Sequence, residues 1–194
     1  MSDFSLAFTH TMQFEDDPNH PGKVTHDAGG RTRFGIADKF HPDLPEEFFT
    51  GPAGEARSQA EEIELERYWK PLRLDSVEDQ SVANKLFDMG VNMGVHQAAV
   101  LAQRAINFLI ATGGAQVRLS DAETTNGAQA PSPASRVTED GIIGPRTLEQ
   151  INRLVPAQML KAMVGFSESH YRHIAAVNPA QAVNLDGWLR RAAG

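Results

Sequence analysis

Apolar side chains recur at helical spacing along most of this chain, and no segment alternates long enough to make a strand of any length. Phe4, Phe8 and Met12 fall every four residues behind Ser2 or Asp3, either of which can cap a helix, so the spacing predicts a first helix over about residues 3–15. The same period predicts a helix over 54–69, closed by Pro71. A third opens at Ser76-Val77-Glu78-Asp79, which resembles a capping box, and runs through Val82, Leu86 and Met89 or Phe87. Gly94 breaks the pattern, and a helix over about 96–111 follows with Val100, Ile106 and Leu109. Gly144-Pro145 opens another, with proline at its first position; one covers about 156–176; Asn178-Pro179 caps a last one that carries Trp188, Leu189 and two arginines. The expected fold class is mainly α.

Two stretches interrupt this. Residues 16–43 carry prolines, paired glycines and five aspartates without helical period, which predicts a structured loop with a short β-hairpin around Val24 to Ile36. Residues 112–138 are rich in Gly, Ala, Ser, Thr, Asn and Pro and read as a flexible loop or linker. The 194 residues then divide into a region 1–111, the linker 112–138, and a helical region 139–194 expected to pack on the first.

Composition removes several functions. With 0 cysteines there is no disulfide scaffold, thiolate zinc site or cysteine nucleophile. No apolar run approaches the ~18 residues of a membrane span. Met1 to Gln13 has neither a basic n-region nor a long apolar h-region, so synthesis in the cytoplasm without a signal peptide is expected. The net charge of −7 is uneven: residues 1–66 hold 5 basic and 14 acidic side chains (−9), residues 67–194 hold 13 and 11 (+2). An acidic chain argues against nonspecific nucleic-acid binding, and ordinary solubility charge accounts for the asymmetry. No phosphate-binding glycine loop and no Gly-x-Ser-x-Gly elbow is present. His10, His20 and His26 lack zinc-ligand spacing, and a calcium loop starting at Asp17 fails at Pro21 and Ala28. Neither metal nor cofactor is expected.

Glu15 stands where the first helix stops, three residues after Met12, and so extends the apolar stripe. A partly desolvated carboxyl at the negative end of a helix is in the setting a general acid requires; a solvated helix-end glutamate is the other reading of the same position. Asp27 and Thr32 flank the turn at Gly29-Gly30, where one carboxylate and one hydroxyl can face a common point, although a plain hairpin turn explains the pattern as well.

Glu15, followed by Asp27-Ala28-Gly29-Gly30-x-Thr32-x-Phe34-Gly35-Ile36, resembles the N-terminal signature of the glycoside hydrolase family 108 muramidases. Tyr68-Trp69-Lys70-Pro71 is similar to the family's Tyr-Trp-x-Pro segment, and Phe87-Asp88-Met89-Gly90-Val91-Asn92-Met93-Gly94 to its Phe-Asp-x-x-Val-Asn-x-Gly helix. Asp140-Gly141-Ile142-Ile143-Gly144-Pro145 resembles the start of its C-terminal predicted peptidoglycan domain, and Gly187-Trp188-Leu189-x-Arg191 its ending. The departures are Asp16-Asp17-Pro18 for Gly-Gly-Tyr, Ala28 for proline, Arg33 for asparagine, and Ser167 where an arginine often precedes the tyrosine, here Tyr171.

The resemblance implies a lysozyme-like helical fold that cleaves the β-1,4 bond between N-acetylmuramic acid and N-acetylglucosamine in peptidoglycan glycan strands. It implies Glu15 as general acid, Asp27 for water activation or charge stabilisation, and Thr32 for positioning, with Phe34, Gly35, Asn92 and Tyr68 toward substrate. Asn92 equally suits a buried backbone partner, and Phe34, Tyr68 and Trp69 equally suit a core. The implied setting is a monomeric phage endolysin, reaching the bacterial wall through a holin-type lesion. A lytic transglycosylase and a non-catalytic wall-binding or phage structural module are the alternatives.

Overall fold

The computed structural model describes residues 1–17, 19–27, 30–118 and 134–193. Helix α1 (Phe4–Glu15) opens at Asp3, whose side chain accepts from the Leu6 amide, and it buries Ala7, Phe8, Thr11 and Met12. A small antiparallel sheet follows, β1 (Thr25–Asp27), β2 (Gly30–Arg33) and β3 (Ile36–Ala37), in the order β1-β2-β3. It has one strand more than the expected hairpin. Phe34 and Gly35 join β2 to β3 with φ of 49° and 77°, the backbone of a type I′ turn whose twist matches the strands it connects.

A 3₁₀ turn (Asp38–Phe40) and the short α2 (Glu46–Thr50), which the periodicity does not predict, lead into α3 (Ala53–Glu64). The end of α3 widens into a π-helical turn over Leu65–Trp69. Helix α4 (Gln80–Met93) starts later than the sequence suggests. Ser76 closes a 3₁₀ turn (Leu74–Ser76), and the cap is Asp79, which accepts from the Val82 amide at 3.1 Å. Gly94, at φ 85°, separates α4 from α5 (Val95–Ala111) without a loop. The C-terminal part contains α6 (Pro145–Arg153), α7 (Pro156–Val177), a 3₁₀ stretch (Pro179–Asn184) and α8 (Leu185–Ala193). Asn178-Pro179 therefore opens the 3₁₀ stretch, and the last helix begins only at Leu185.

Helices α4 and α5 form the centre. α1 packs on α4, and α7 packs on α4, α5 and α8. Phe4 holds edge-to-face contacts with Trp69 and Phe87 at 5.6 and 5.7 Å, which places Trp69 in the core. One apolar cluster runs from Phe8 and Phe87 through Leu101 and Ile106 to Met159 and Met163. Fully buried Gln103 of α5 donates to Asp140 and to the Ile142 carbonyl (2.7 and 2.9 Å) and accepts from the Gly141 amide (2.9 Å). Residues 119–133 of the expected linker lie outside the described residues, but its near flank is tied down, with Arg118 N–H donating to the Arg153 carbonyl at 2.7 Å. No helix among the described residues is long and apolar enough to cross a membrane.

Candidate active site

The stripe that builds α1 also carries Glu15 inward. Its side chain is 19% exposed and meets Arg191 of α8, itself 11% exposed, whose Nη1 donates to Glu15 Oε1. Arg191 Nε donates to Asp88 Oδ1 at 2.7 Å. Asn92, in the amide orientation that the guanidinium requires, accepts from Nε at 3.1 Å and Nη1 at 3.2 Å. Asp88 and Asn92 lie one turn apart on α4, so a single helix face holds the guanidinium that holds Glu15.

Lys85, one turn before Asp88, fixes α8 from its C-terminal end. Its Nζ donates to the carbonyls of Arg191 (3.1 Å) and Ala192 (2.6 Å) and lies 3.9 Å from Asp88 Oδ2. A cation at a helix C-terminus meets carbonyls that the helix leaves unpaired, and the dipole favours it. Burial pulls the Lys85 ammonium below its usual range, and Asp88 opposes that. Burial also works against the Arg191 charge, but Glu15 and Asp88 outweigh it and hold the guanidinium above its usual range. On the flank of α8, Trp188 stacks on Tyr171 of α7, with centroids 5.4 Å apart and planes 25° apart.

Behind Glu15 the site contains Glu64, the last residue of α3. It is fully buried, and neither carboxyl oxygen has a hydrogen-bond partner among the described residues. Burial lifts its proton affinity well above that of an ordinary glutamate, and the negative charges of Glu15 and Asp88 add to this while Arg191 opposes it. Tyr68 and Tyr171 are also raised, chiefly by burial.

The β2–β3 turn closes the other side. A Cβ on Gly35 would stand 3.2 Å from Glu15 Cδ and Cγ, so Gly35 lies directly against the acid. Phe34 is only 3% exposed, and its ring fills the space over Gly22; it is a core residue, not an open stacking platform. Arg33, which replaces the signature's asparagine, is buried and donates to the carbonyls of Gly22 (2.8 Å), Phe48 (2.7 Å) and Gly51 (2.9 Å). Asp16 Oδ1 accepts from the amides of Asp17 and Gly22 (3.0 and 2.9 Å), shaping the loop after Glu15.

Asp27 pairs with Gly30 and Thr25 with Thr32, so Asp27 and Thr32 occupy positions of the same parity on paired strands; Thr32 is half-buried. Tyr68 is half-buried against the core. The structure thus brings Glu15, Gly35 and Asn92 into one neighbourhood and adds Arg191, Asp88, Lys85 and Glu64. In the sequence Arg191 is one of two arginines of the last helix and part of a terminal motif; its partnership with Glu15 spans 176 residues and has no local signal.

Residues 16–94 match the family model described as Glycosyl hydrolase 108, and residues 132–193 match that of the Predicted Peptidoglycan domain. Among solved structures, Brucella abortus SagA is similar in fold, with a TM-score of 0.59 at 16% identity over 97% of this chain and 92% of that one. No curated protein sequence matches the chain.

Proposed function

We propose, from the match of residues 16–94 to the Glycosyl hydrolase 108 model and of residues 132–193 to the Predicted Peptidoglycan domain, that this chain is a peptidoglycan hydrolase of the muramidase type whose general acid is Glu15. The bond broken is the β-1,4 link from N-acetylmuramic acid to N-acetylglucosamine. The observation that carries the reading is the place of Glu15: a half-buried carboxyl at the end of α1, with a side-chain-free Gly35 against it and a guanidinium engaged on it.

Glu15 protonates the glycosidic oxygen as the C–O bond opens, and positive charge develops on the sugar ring. Asp27 activates the attacking water or balances that charge, and Thr32 orients the water; their matched register on β1 and β2 supports the pairing of roles. Gly35 leaves room for the glycan beside the acid, with Tyr68 and Asn92 at the margin. Phe34 acts from beneath, by holding the turn. Arg191 fixes the Glu15 side chain in one direction and is fixed in turn by Asp88 and Asn92.

Purified sacculi give the test. Wild-type protein is expected to release muropeptides with reducing ends, and Glu15→Gln to lose at least about 10²-fold in rate, the usual contribution of a general acid. Equal digestion by the variant removes the assignment. Anhydro-muramic ends in the mass spectrum would make the enzyme a lytic transglycosylase, and binding without cleavage would leave a wall-binding module. The biological setting that fits a muramidase of this resemblance is host lysis: expression with a holin is expected to lyse a Gram-negative host, and expression alone to leave it intact.

A further inference from the structure

Glu64 has no role in the mechanism above, yet no acidic side chain among the described residues is more deeply buried. Both of its oxygens lack partners, and so does the buried Nη2 of Arg191. Arg191 spends its other nitrogens on Glu15 and Asp88. The charged and titratable groups that act on Glu64 are Glu15 from α1, Asp88 from α4 and Arg191 from α8, with Tyr68 on the π-helical turn that follows it. Lys85 stands beyond Asp88 and shares that carboxylate with Arg191. Local widening of a helix into a π turn recurs at functional sites.

A guanidinium donating to Glu15 is the contact of a carboxylate, whereas a general acid must meet its substrate with a proton in hand. Asp88 has two cations beside it, whereas among the described residues Glu15 pairs with Arg191 and Glu64 makes no hydrogen bond or ion pair to any cation. We propose that Glu15 and Glu64 share one proton, which rests on Glu64 while Arg191 engages Glu15 and crosses to Glu15 as Arg191 turns its free Nη2 edge to Glu64. In that step the O–H bond of Glu64 breaks, one forms on Glu15, and the guanidinium keeps its charge. The net charge of the cluster is the same before and after, so a poorly solvated region undergoes the exchange without admitting an ion. Glu64 is then a positioning residue for a proton, and the inference rests on Glu15 being the acid.

The test compares the full-length wild type with Glu64→Gln and Glu15→Gln on sacculi across pH. The amide keeps the shape of Glu64 but stores no proton. The rate of Glu64→Gln is expected to fall progressively with rising pH, by at least about tenfold at neutral pH, with the alkaline limb moved to lower pH and KM unchanged. In the wild type, the assigned Glu64 carboxyl-carbon NMR resonance is expected to titrate over the same interval as the alkaline limb of activity. A Glu64→Gln profile superimposable on wild type overturns the proposal. So does a wild-type Glu64 resonance that is already ionised below the limb or still protonated above it, and this measurement decides the matter if the variant does not fold. Full activity of Glu15→Gln removes instead the reading of Glu15 as the acid; an inactive Glu15→Gln beside an unchanged Glu64→Gln removes only the shared proton.

Discussion

A carboxyl without partners inside a protein is kept there by its proton, and for Glu64 this has a consequence for stability as well as chemistry. Its proton affinity in the fold is raised above the ordinary value of 4.5. Between that value and its raised one the native state holds a proton that the unfolded chain has released, so stability is fullest below about pH 4.5 and is lost as pH rises. The slope from this group is at most about 1.4 kcal/mol per pH unit. Glu64→Gln removes it, and urea midpoints measured from pH 5 to 8 are expected to decline less steeply with pH in the variant than in the wild type, about 1 kcal/mol per pH unit less within the window. Parallel declines would mean that Glu64 is already ionised in the fold. The sequence makes Glu15 readable, because one apolar stripe leads to it, but hides Glu64 within an α3 pattern where it is one of several glutamates. It also hides what Arg33 does, since the three carbonyls that accept from it come from two other segments.

The decisive element is the turn between β2 and β3. Left-handed backbone costs a non-glycine residue roughly 1–2 kcal/mol, and here Phe34 adopts it at φ 49° while its buried ring holds it in place. Gly35 at φ 77° then lies on Glu15. Gly35→Ala meets both obstacles at once: a strained φ and a Cβ 3.2 Å from the carboxyl carbon of the acid. It is expected to lower kcat/KM on sacculi by about 10²-fold, the effect of misplacing a reacting group by ~1 Å. Gly54→Ala, in α3 with nothing within 4 Å of the added carbon, is the control and is expected to keep full activity and to gain up to about 1 kcal/mol. If the two variants behave alike, the turn does not position the acid. The long helices are legible as a period of apolar residues. The hairpin is legible too, from its paired glycines and the loss of helical period, but the third strand is not, because two residues carry too little alternation and the sheet is anchored by side chains that lie beyond it. Arg31 shows this: it pairs with Asp38 at 3.2 Å, binds Glu46 through two bonds of 2.6 and 3.0 Å, and lies 4.4 Å over Phe49, tying β2 to α2.

Across the whole molecule, composition suggests a boundary that the packing does not keep. The Gly- and Ser-rich stretch after residue 111 reads as a linker, and the two family matches stop and start at 94 and 132. The apolar cluster nevertheless passes from Phe87 and Leu101 to Met159 and Met163 without interruption, and Gln103 is satisfied only by residues beyond the stretch. The site is divided in the same way, with the acid on α1, its guanidinium on α8, and Lys85 of α4 donating to the last carbonyls of α8. A fragment of residues 1–111 would uncover the faces of α4 and α5 that α7 covers and would leave Asp88 and Lys85 without their buried partners. Leaving one partner of a buried ion pair unmatched costs about 3–5 kcal/mol, a large share of the ~5–15 kcal/mol that holds a domain together. The fragment is therefore expected to lose its near-UV circular dichroism, to bind hydrophobic dye and to digest no sacculi, at protein concentrations where the full chain keeps the signal, leaves the dye unbound and digests. A C-terminal part that served only to hold the wall would give the opposite result. The fragment would then unfold cooperatively and cut the glycan at the full kcat, with only its KM raised, because neither the core nor the acid would have needed anything from beyond residue 111.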